Sequence, residues 1–267
     1  MVQIVALIGF GEAGMTFALA AGWEHRAVAY DIAPDRQRLM VQAGVVAAEN
    51  AQRALKDAPI VLSLVTADQA LAAASQSAHL IAPGAIWCDM NSVAPETKRE
   101  AARMIATAGG RYVDVAVLAP VNPAGLGVPL LLAGEAAGEA GSLLRNLGFT
   151  NARVVSAEIG KASAIKMIRS VMVKGIEALT AEMMLAADAA GVTAEVLASL
   201  DASEKAMSWK DRAAYNLERM TTHGLRRAAE MEESAKTLAG LGVEPVMTVG
   251  TVRRQREMAT AGEGSST

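Results

Sequence analysis

Through the first half of the chain, short apolar runs rich in branched residues alternate with stretches whose apolar positions recur at helical spacing. The pattern predicts strands over residues 2–8, 27–30, 60–64, 85–88 and 112–117, with two further strands over 128–132 and 152–155. Between them it predicts helices over 12–21, 34–43, 48–57, 67–78, 95–108 and 137–147. Strands alternating with helices imply βαβ units and a mostly parallel sheet. After about Ser156 no strand-like run returns. Residues 160–190 read as one long helix, followed by helices over 192–200, 210–220, 224–241 and 244–259. The expected organisation is an α/β domain over 1–157 and an all-helical domain over 158–262, entered through the long connecting helix. A Gly/Ser-rich tail over 263–267 is expected to fray.

Composition narrows the function classes. The chain has 267 residues, 52% of them hydrophobic and 20% charged, with a formal net charge of −3. That balance excludes a basic nucleic-acid surface as the main feature and equally a disordered acidic chain. Alanine makes up about a fifth of the residues and aromatics 3%, which suits closely packed helices. Cys88 stands alone, so neither an intrachain disulfide nor a cysteine zinc cage can form, and a reducing cytoplasm is the expected location. Residues 4–23 are apolar like a secretory leader, but they lack a basic start and are interrupted by Gly9, Gly11, Glu12 and Gly14. No run approaches the roughly 18 apolar residues of a membrane span. His25, His79 and His223 have no partners at ligand spacing, so no metal is expected.

The first chemical signal is Gly9-Phe10-Gly11-Glu12-Ala13-Gly14, a G-x-G-x-x-G. The spacing alone is common in a chain with 23 glycines. Its context is specific, because it follows an apolar strand, opens a helix and precedes a second strand ending in Asp31. In such a turn Gly9 allows the tight bend, Gly11 lets a pyrophosphate approach the backbone, and Gly14 allows close helix–strand packing. Asp31 falls 20 positions after Gly11, where a carboxylate accepts hydrogen bonds from ribose hydroxyls. This is the pattern of a Rossmann dinucleotide-binding domain. Asp31 repels a 2′-phosphate, so NAD is the expected cofactor, while Arg36 and Arg38 just downstream leave NADP open. Leu64, Val65 and Thr66 follow a strand and should border the same cofactor, since ligands sit at strand C-termini in open α/β sheets. The plain alternative for the glycine turn is a nucleotide-free βαβ unit with Asp31 as a helix cap.

The second signal lies on the long helix. At about 100° per residue, Lys166, Arg169, Ser170, Lys174 and Glu177 fall within roughly 140° of arc. Ile165, Met167, Ile168, Val171, Met172, Val173, Ile176 and Leu179 occupy the other faces. A helix apolar on most sides is expected to be buried, which leaves the polar stripe facing water, a partner or a ligand cleft. Desolvation in a cleft would suit a lysine to proton transfer.

Taken in order, these residues resemble the β-hydroxyacid dehydrogenase superfamily, which includes 3-hydroxyisobutyrate and 6-phosphogluconate dehydrogenases. The glycine loop is similar to the family's cofactor loop. Asp89-Met90-Asn91-Ser92-Val93-Ala94-Pro95 resembles its post-strand segment, Asp114-Val115-Ala116-Val117 the start of its substrate loop, and Gly160 with Lys166 its interdomain helix. The resemblance implies that Lys166 is the general acid/base and that Asn91 and Ser92 orient nicotinamide and substrate. Two departures stand out. The family's Ser-Gly-Gly is here Leu118-Ala119-Pro120, and its Asn four residues after the lysine is here Ser170. Residues 162–167, Lys174-Gly175 and residues 230–233 look like a phosphogluconate-dehydrogenase-like branch with a short helical C-terminal domain. The reading is an NAD(P)-dependent dehydrogenase acting on an alcohol or hydroxy acid. Leu118, Ala119, Pro120, Ser170, Lys174 and His223 are further substrate-side candidates, and a homodimer is expected through the helical domain. The rival readings are an imine reductase on the same scaffold and a non-catalytic dinucleotide sensor.

Overall fold

The computed structural model describes residues 4–203 and 206–263; the first two residues of the strand predicted over 2–8 and the tail beyond 263 lie outside them. Eight strands form one sheet: β1 (Val5–Ile8), β2 (Ala27–Tyr30), β3 (Val46–Ala47), β4 (Ile60–Ser63), β5 (Ile86–Asp89), β6 (Arg111–Val117), β7 (Leu130–Ala133) and β8 (Ala152–Ser156). Their order is β3-β2-β1-β4-β5-β6-β7-β8. Every neighbouring pair is parallel except β6 and β7. The order reverses between β1 and β4, the point where an open α/β sheet leaves a crevice at its strand C-termini.

Sheet-face alternation explains the core. Val5 and Leu7 pack into one layer, and Ala6 and Ile8 into the other. Ile60, Leu62, Ile86 and Cys88 join the first layer, while Val61 and Trp87 join the second. Helices cover both faces: α1 (Glu12–Ala21), α2 (Arg36–Gln42), α3 (Ala51–Leu55), α4 (Ala70–Ala78), α5 (Pro95–Thr107) and α6 (Ala137–Asn146). Burial on both faces is why the central strands read as near-continuous apolar runs. The element missed by pattern is β3, two residues paired to β2, too short to show a period.

The helical half consists of α7 (Lys161–Ala189), α8 (Thr193–Ser203), α9 (Trp209–Gly240) and α10 (Val246–Glu263). The chain forms two compact units that divide between Arg169 and Ser170, so the first turns of α7 belong to the sheet unit. Within the second unit, Glu182 of α7 accepts hydrogen bonds from Met247 N (2.7 Å) and Thr248 N (2.9 Å) at the start of α10. It thereby caps that helix, satisfying amides that have no intrahelical partner.

Two expectations fail here. The helices expected over 210–220 and 224–241 are one continuous α9, so His223 lies inside a helix and not in a turn between two. The expected break falls at Thr221-Thr222-His223, next to Gly224, whose place in the helix is explained by packing. A Cβ on Gly224 would collide with the Gln255 carbonyl oxygen and stand 2.9 Å from Ala259 Cβ, so the glycine admits α10 within a continuous α9. The second failure is burial of α7. Ile168 is 72% exposed, Val171 75% and Met172 49%, and Val173, Ile176 and Leu179 are exposed as well. Apolar periodicity announced a covered helix, and the single chain does not cover it. Among the described residues no helix is long and apolar enough to cross a membrane.

Candidate functional site

The glycine turn sits where β1 meets α1. Gly9 has φ +92°, and a Cβ there would lie 2.6 Å from the Leu64 carbonyl oxygen, so any side chain is excluded by backbone on both counts. Gly14 is buried against the Gly9 carbonyl, its Cβ position 3.2 Å away. Gly11 has open space on its Cβ side, and it precedes α1 without any side-chain cap. The first amides of α1, at Glu12 and Ala13, thus have no side chain competing for them at a terminus that favours negative charge. Phe10 does something not anticipated. Its ring is fully buried in the core, and its backbone N–H donates to Asp31 Oδ2 at 2.6 Å.

Asp31 also accepts from Ala33 N through Oδ1 at 2.9 Å. Each carboxylate oxygen therefore has one backbone donor and a remaining lone pair. Gly9, Gly11, Asp31, Leu64, Val65 and Thr66 line one cleft of about 250 Å³, together with Arg36 and the α4 residues Gln76 and Ser77. The Arg36 side chain is 40% exposed and its Nε stands 3.8 Å from Asp35 Oδ2, so it is not drawn into a close pair.

A second cleft of about 390 Å³ adjoins the first through Leu64 and Val65, which line both. It gathers Glu12, Ala13, Asn91, Ser92, Ala119, Pro120 and Lys166 from four separate parts of the sequence. The Lys166 ammonium donates to Ser92 Oγ. Asn91 is 5% exposed; its Nδ2 donates to Ser63 Oγ at 3.0 Å, and its Oδ1 is buried without a partner. Glu12 is held by Asn122, whose Nδ2 donates to Oε1 at 3.0 Å. Leu118 contributes backbone: its N–H donates to Pro129 O at 3.0 Å, and its carbonyl accepts from Arg169 Nη1 at 3.2 Å. Ser170, Lys174 and His223 belong to the second unit, where Lys174 and His223 are exposed.

Beneath this cleft lies a charged cluster that pattern reading missed. Lys98 of α5 is wholly buried, its Nζ 2.6 Å from the Asp89 carbonyl oxygen and 2.9 Å from Asp89 Oδ1. Asp114 Oδ1 is 3.6 Å from the same ammonium. Asp89 Oδ1 also accepts from Asn91 N at 2.9 Å, and Asp89 Oδ2 from the Tyr112 hydroxyl at 2.6 Å. Burial, with the Asp89 charge beside it, pushes the Tyr112 hydroxyl well above its ordinary range. Burial likewise pushes the neighbouring Cys88 thiol up to about 12, which makes it inert. The residues Asp89 and Asp114 stood inside recognised segments. Nothing in the pattern singles out Lys98, because a buried cation has the same letter as a solvated one.

The site suits a dinucleotide on three observations: the uncapped α1 start beside open Gly11, the spare lone pairs of Asp31, and the unsatisfied Asn91 Oδ1 at the second cleft. Comparison with known proteins agrees. Residues 4–151 match the model of the NAD binding domain of 6-phosphogluconate dehydrogenase, and residues 187–258 match a domain of unknown function, DUF1932. A conserved hypothetical protein from Sinorhizobium meliloti 1021 is 36% identical, with 100% of this chain and 92% of that one covered and a TM-score of 0.65. A conserved protein of unknown function with structural similarity to 3-hydroxyacid dehydrogenases is 30% identical, with 97% and 98% covered and a TM-score of 0.64. The imine reductase of Streptomyces aurantiacus is 20% identical, with 97% and 95% covered and a TM-score of 0.77, a likeness of fold.

Proposed function

The chain belongs to the family built on the NAD binding domain of 6-phosphogluconate dehydrogenase with a DUF1932 domain after it, and from that premise we propose that it is an oxidoreductase interconverting an alcohol and a carbonyl compound. The observation that carries the reading is the second cleft, where Lys166 meets Ser92 beside residues of the glycine turn. A bound nicotinamide would supply the hydride acceptor or donor. Glu12, Ala13 and Asn91 would hold it at this end, and Gly9, Gly11 and Asp31 at the other. Lys166 takes the proton from the substrate hydroxyl as the carbinol hydrogen leaves with its electron pair, and returns it in the reverse direction. Ser92 orients both the amine and the hydroxyl. General acid–base catalysis of this kind contributes typically ~10²–10⁴-fold. Lys166→Ala is therefore expected to lose about two to four orders of magnitude in turnover, with NADH affinity within twofold of the parent. Unchanged turnover would sink the assignment.

The substrate reading follows from the loop after β6. Leu118 N–H is already committed to Pro129, and Pro120 has no N–H, so the loop offers little to a carboxylate. Val117, Ala119, Pro120 and Val121 give that side of the cleft an apolar wall, which favours a bulkier or aromatic alcohol over a small hydroxy acid. Asp31 supports NAD; Arg36, which lines the same cleft, supports tolerance of NADP, and running the Lys166 assays with each cofactor separates the two. A second reading, imine reduction, is favoured by Glu12, a carboxylate in the cleft suited to a cationic iminium. It predicts that Lys166→Ala keeps activity on imines while losing it on ketones. We further propose a cytoplasmic homodimer, in which a second copy covers the exposed apolar side chains of α7.

A further inference from the structure

We propose that Asp114, gripped by the buried Lys98, is the positioning residue that sets Lys166 against Ser92. The inference rests on the reading of Lys166 above. Asp114 reaches from β6 to the start of α7, where its Oδ2 accepts from Gly160 N at 3.1 Å, Ser163 N at 2.9 Å and Ser163 Oγ at 3.0 Å. It does for α7 what an N-cap side chain does, but from another strand, so it fixes the helix start relative to the sheet. Lys166 lies three residues beyond Ser163, ~4.5 Å along the axis at the usual rise.

The same ammonium governs the other wall. Lys98 bonds Asp89, and Asp89 accepts from Asn91 N, which fixes the turn that presents Ser92. One buried cation thus joins the two supports whose far ends meet as Lys166 and Ser92. Charge reinforces the arrangement. Two buried carboxylates face one ammonium, and Asp114 Oδ1 has no hydrogen-bond donor. The surplus negative charge lies at the N-terminus of α7, whose dipole carries roughly half a positive charge. The helix that bears Lys166 is itself the missing counter-charge, so it is held in place electrostatically as well as by three hydrogen bonds.

Misplacement by about 1 Å near reacting atoms can cost ~100-fold in rate. Ser163→Ala removes one of the three bonds and leaves the Lys98 pairs intact, and Asp114→Asn removes the charge. Each is expected to lower kcat by about 10- to 100-fold with the KM for the dinucleotide little changed. Turnover is not the deciding measurement. Acetylation of the folded protein by an amine-reactive ester, mapped by mass spectrometry, reads Lys166 directly against the exposed Lys56, with Lys98 as the internal report of an intact core. In both variants the Lys166-to-Lys56 labelling ratio is expected to rise at least threefold while Lys98 stays unlabelled. A ratio unchanged in Ser163→Ala overturns the proposal. Should Asp114→Asn label Lys98, its core has opened and Ser163→Ala decides alone. If Lys166→Ala retains full turnover, the general acid/base role falls, and the labelling ratio still decides whether Asp114 holds the side chain.

Discussion

The two units of this chain solve the burial problem in different ways. In the sheet unit, β1, β4, β5 and β7 are buried along their whole length, and a wholly buried lysine is matched to two carboxylates. In the helical unit, Leu185, Leu200, Trp209, Leu217 and Leu225 are all more than half exposed. Its α9–α10 pair is closely interlocked, with no room for a side chain at Gly224 against the Gln255 backbone. A layered sheet closes its own core because each strand has a face toward either layer. A few long helices have more apolar perimeter than their neighbours can cover. The first unit therefore closes its core within itself, and the second leaves large apolar side chains exposed.

Each unit can be disturbed at its tightest point. Lys98→Met leaves Asp89 and Asp114 buried without their cation, and breaking one side of a buried pair costs about 3–5 kcal/mol. The control is the surface pair of Arg111 and Glu139, 2.7 Å apart with side chains 41% and 55% exposed. Arg111→Met should move stability far less, because solvent screens the exposed pair. Urea midpoints of the two variants measure the contrast, and equal midpoints would mean that burial does not set the value of these pairs. In the helical unit, Gly224→Ala gains about 1 kcal/mol of helix propensity but drives a methyl group into a carbonyl that can move only with α10. Overpacking of this kind costs about 1–3 kcal/mol, so net destabilisation is expected. Gly250→Ala, on α10 with open space around its Cβ position, should instead stabilise by several tenths to about 1 kcal/mol. Hydrogen exchange of the α10 amides reads both, faster in the first and slower in the second.

The same contrast decides how much could be read from the sequence. Short apolar runs rich in branched residues placed seven of the eight strands, and the G-x-G-x-x-G with Asp31 marked residues that line one cleft in the structure. The polar stripe that holds Lys166 was legible because charges on a largely apolar helix are conspicuous, and the family resemblance singled out Lys166 within it. Lys98 was not, because its partners Asp89 and Asp114 are brought to it by strand order and not by spacing. Gly224 misled for a related reason: a glycine that admits a neighbouring helix and one that opens a new helix look alike in one dimension. The exposed face of α7 was misread as buried because periodicity says that a surface is covered, without saying by what.

That last ambiguity yields the smallest effect on the isolated chain and the most informative one on assembly. Val171 is 75% exposed on α7, and Val154 is 47% exposed on β8 of the sheet unit. A lysine at either exposed position should change the stability of a single chain by no more than about 0.5 kcal/mol. If a second copy covers α7, Val171→Lys places a charge in an apolar interface and should weaken dimerisation by at least about tenfold, which corresponds to ~1.4 kcal/mol. Val154→Lys should leave the dimer intact. Light scattering across a dilution series distinguishes the outcomes. A wild-type protein that is monomeric throughout, or two variants that dissociate equally, would mean that the exposed face of α7 is not what joins the copies. Dissociation by Val171→Lys alone would locate the incompleteness of the helical unit on the helix that also carries Lys166, and would make assembly and site geometry properties of one element.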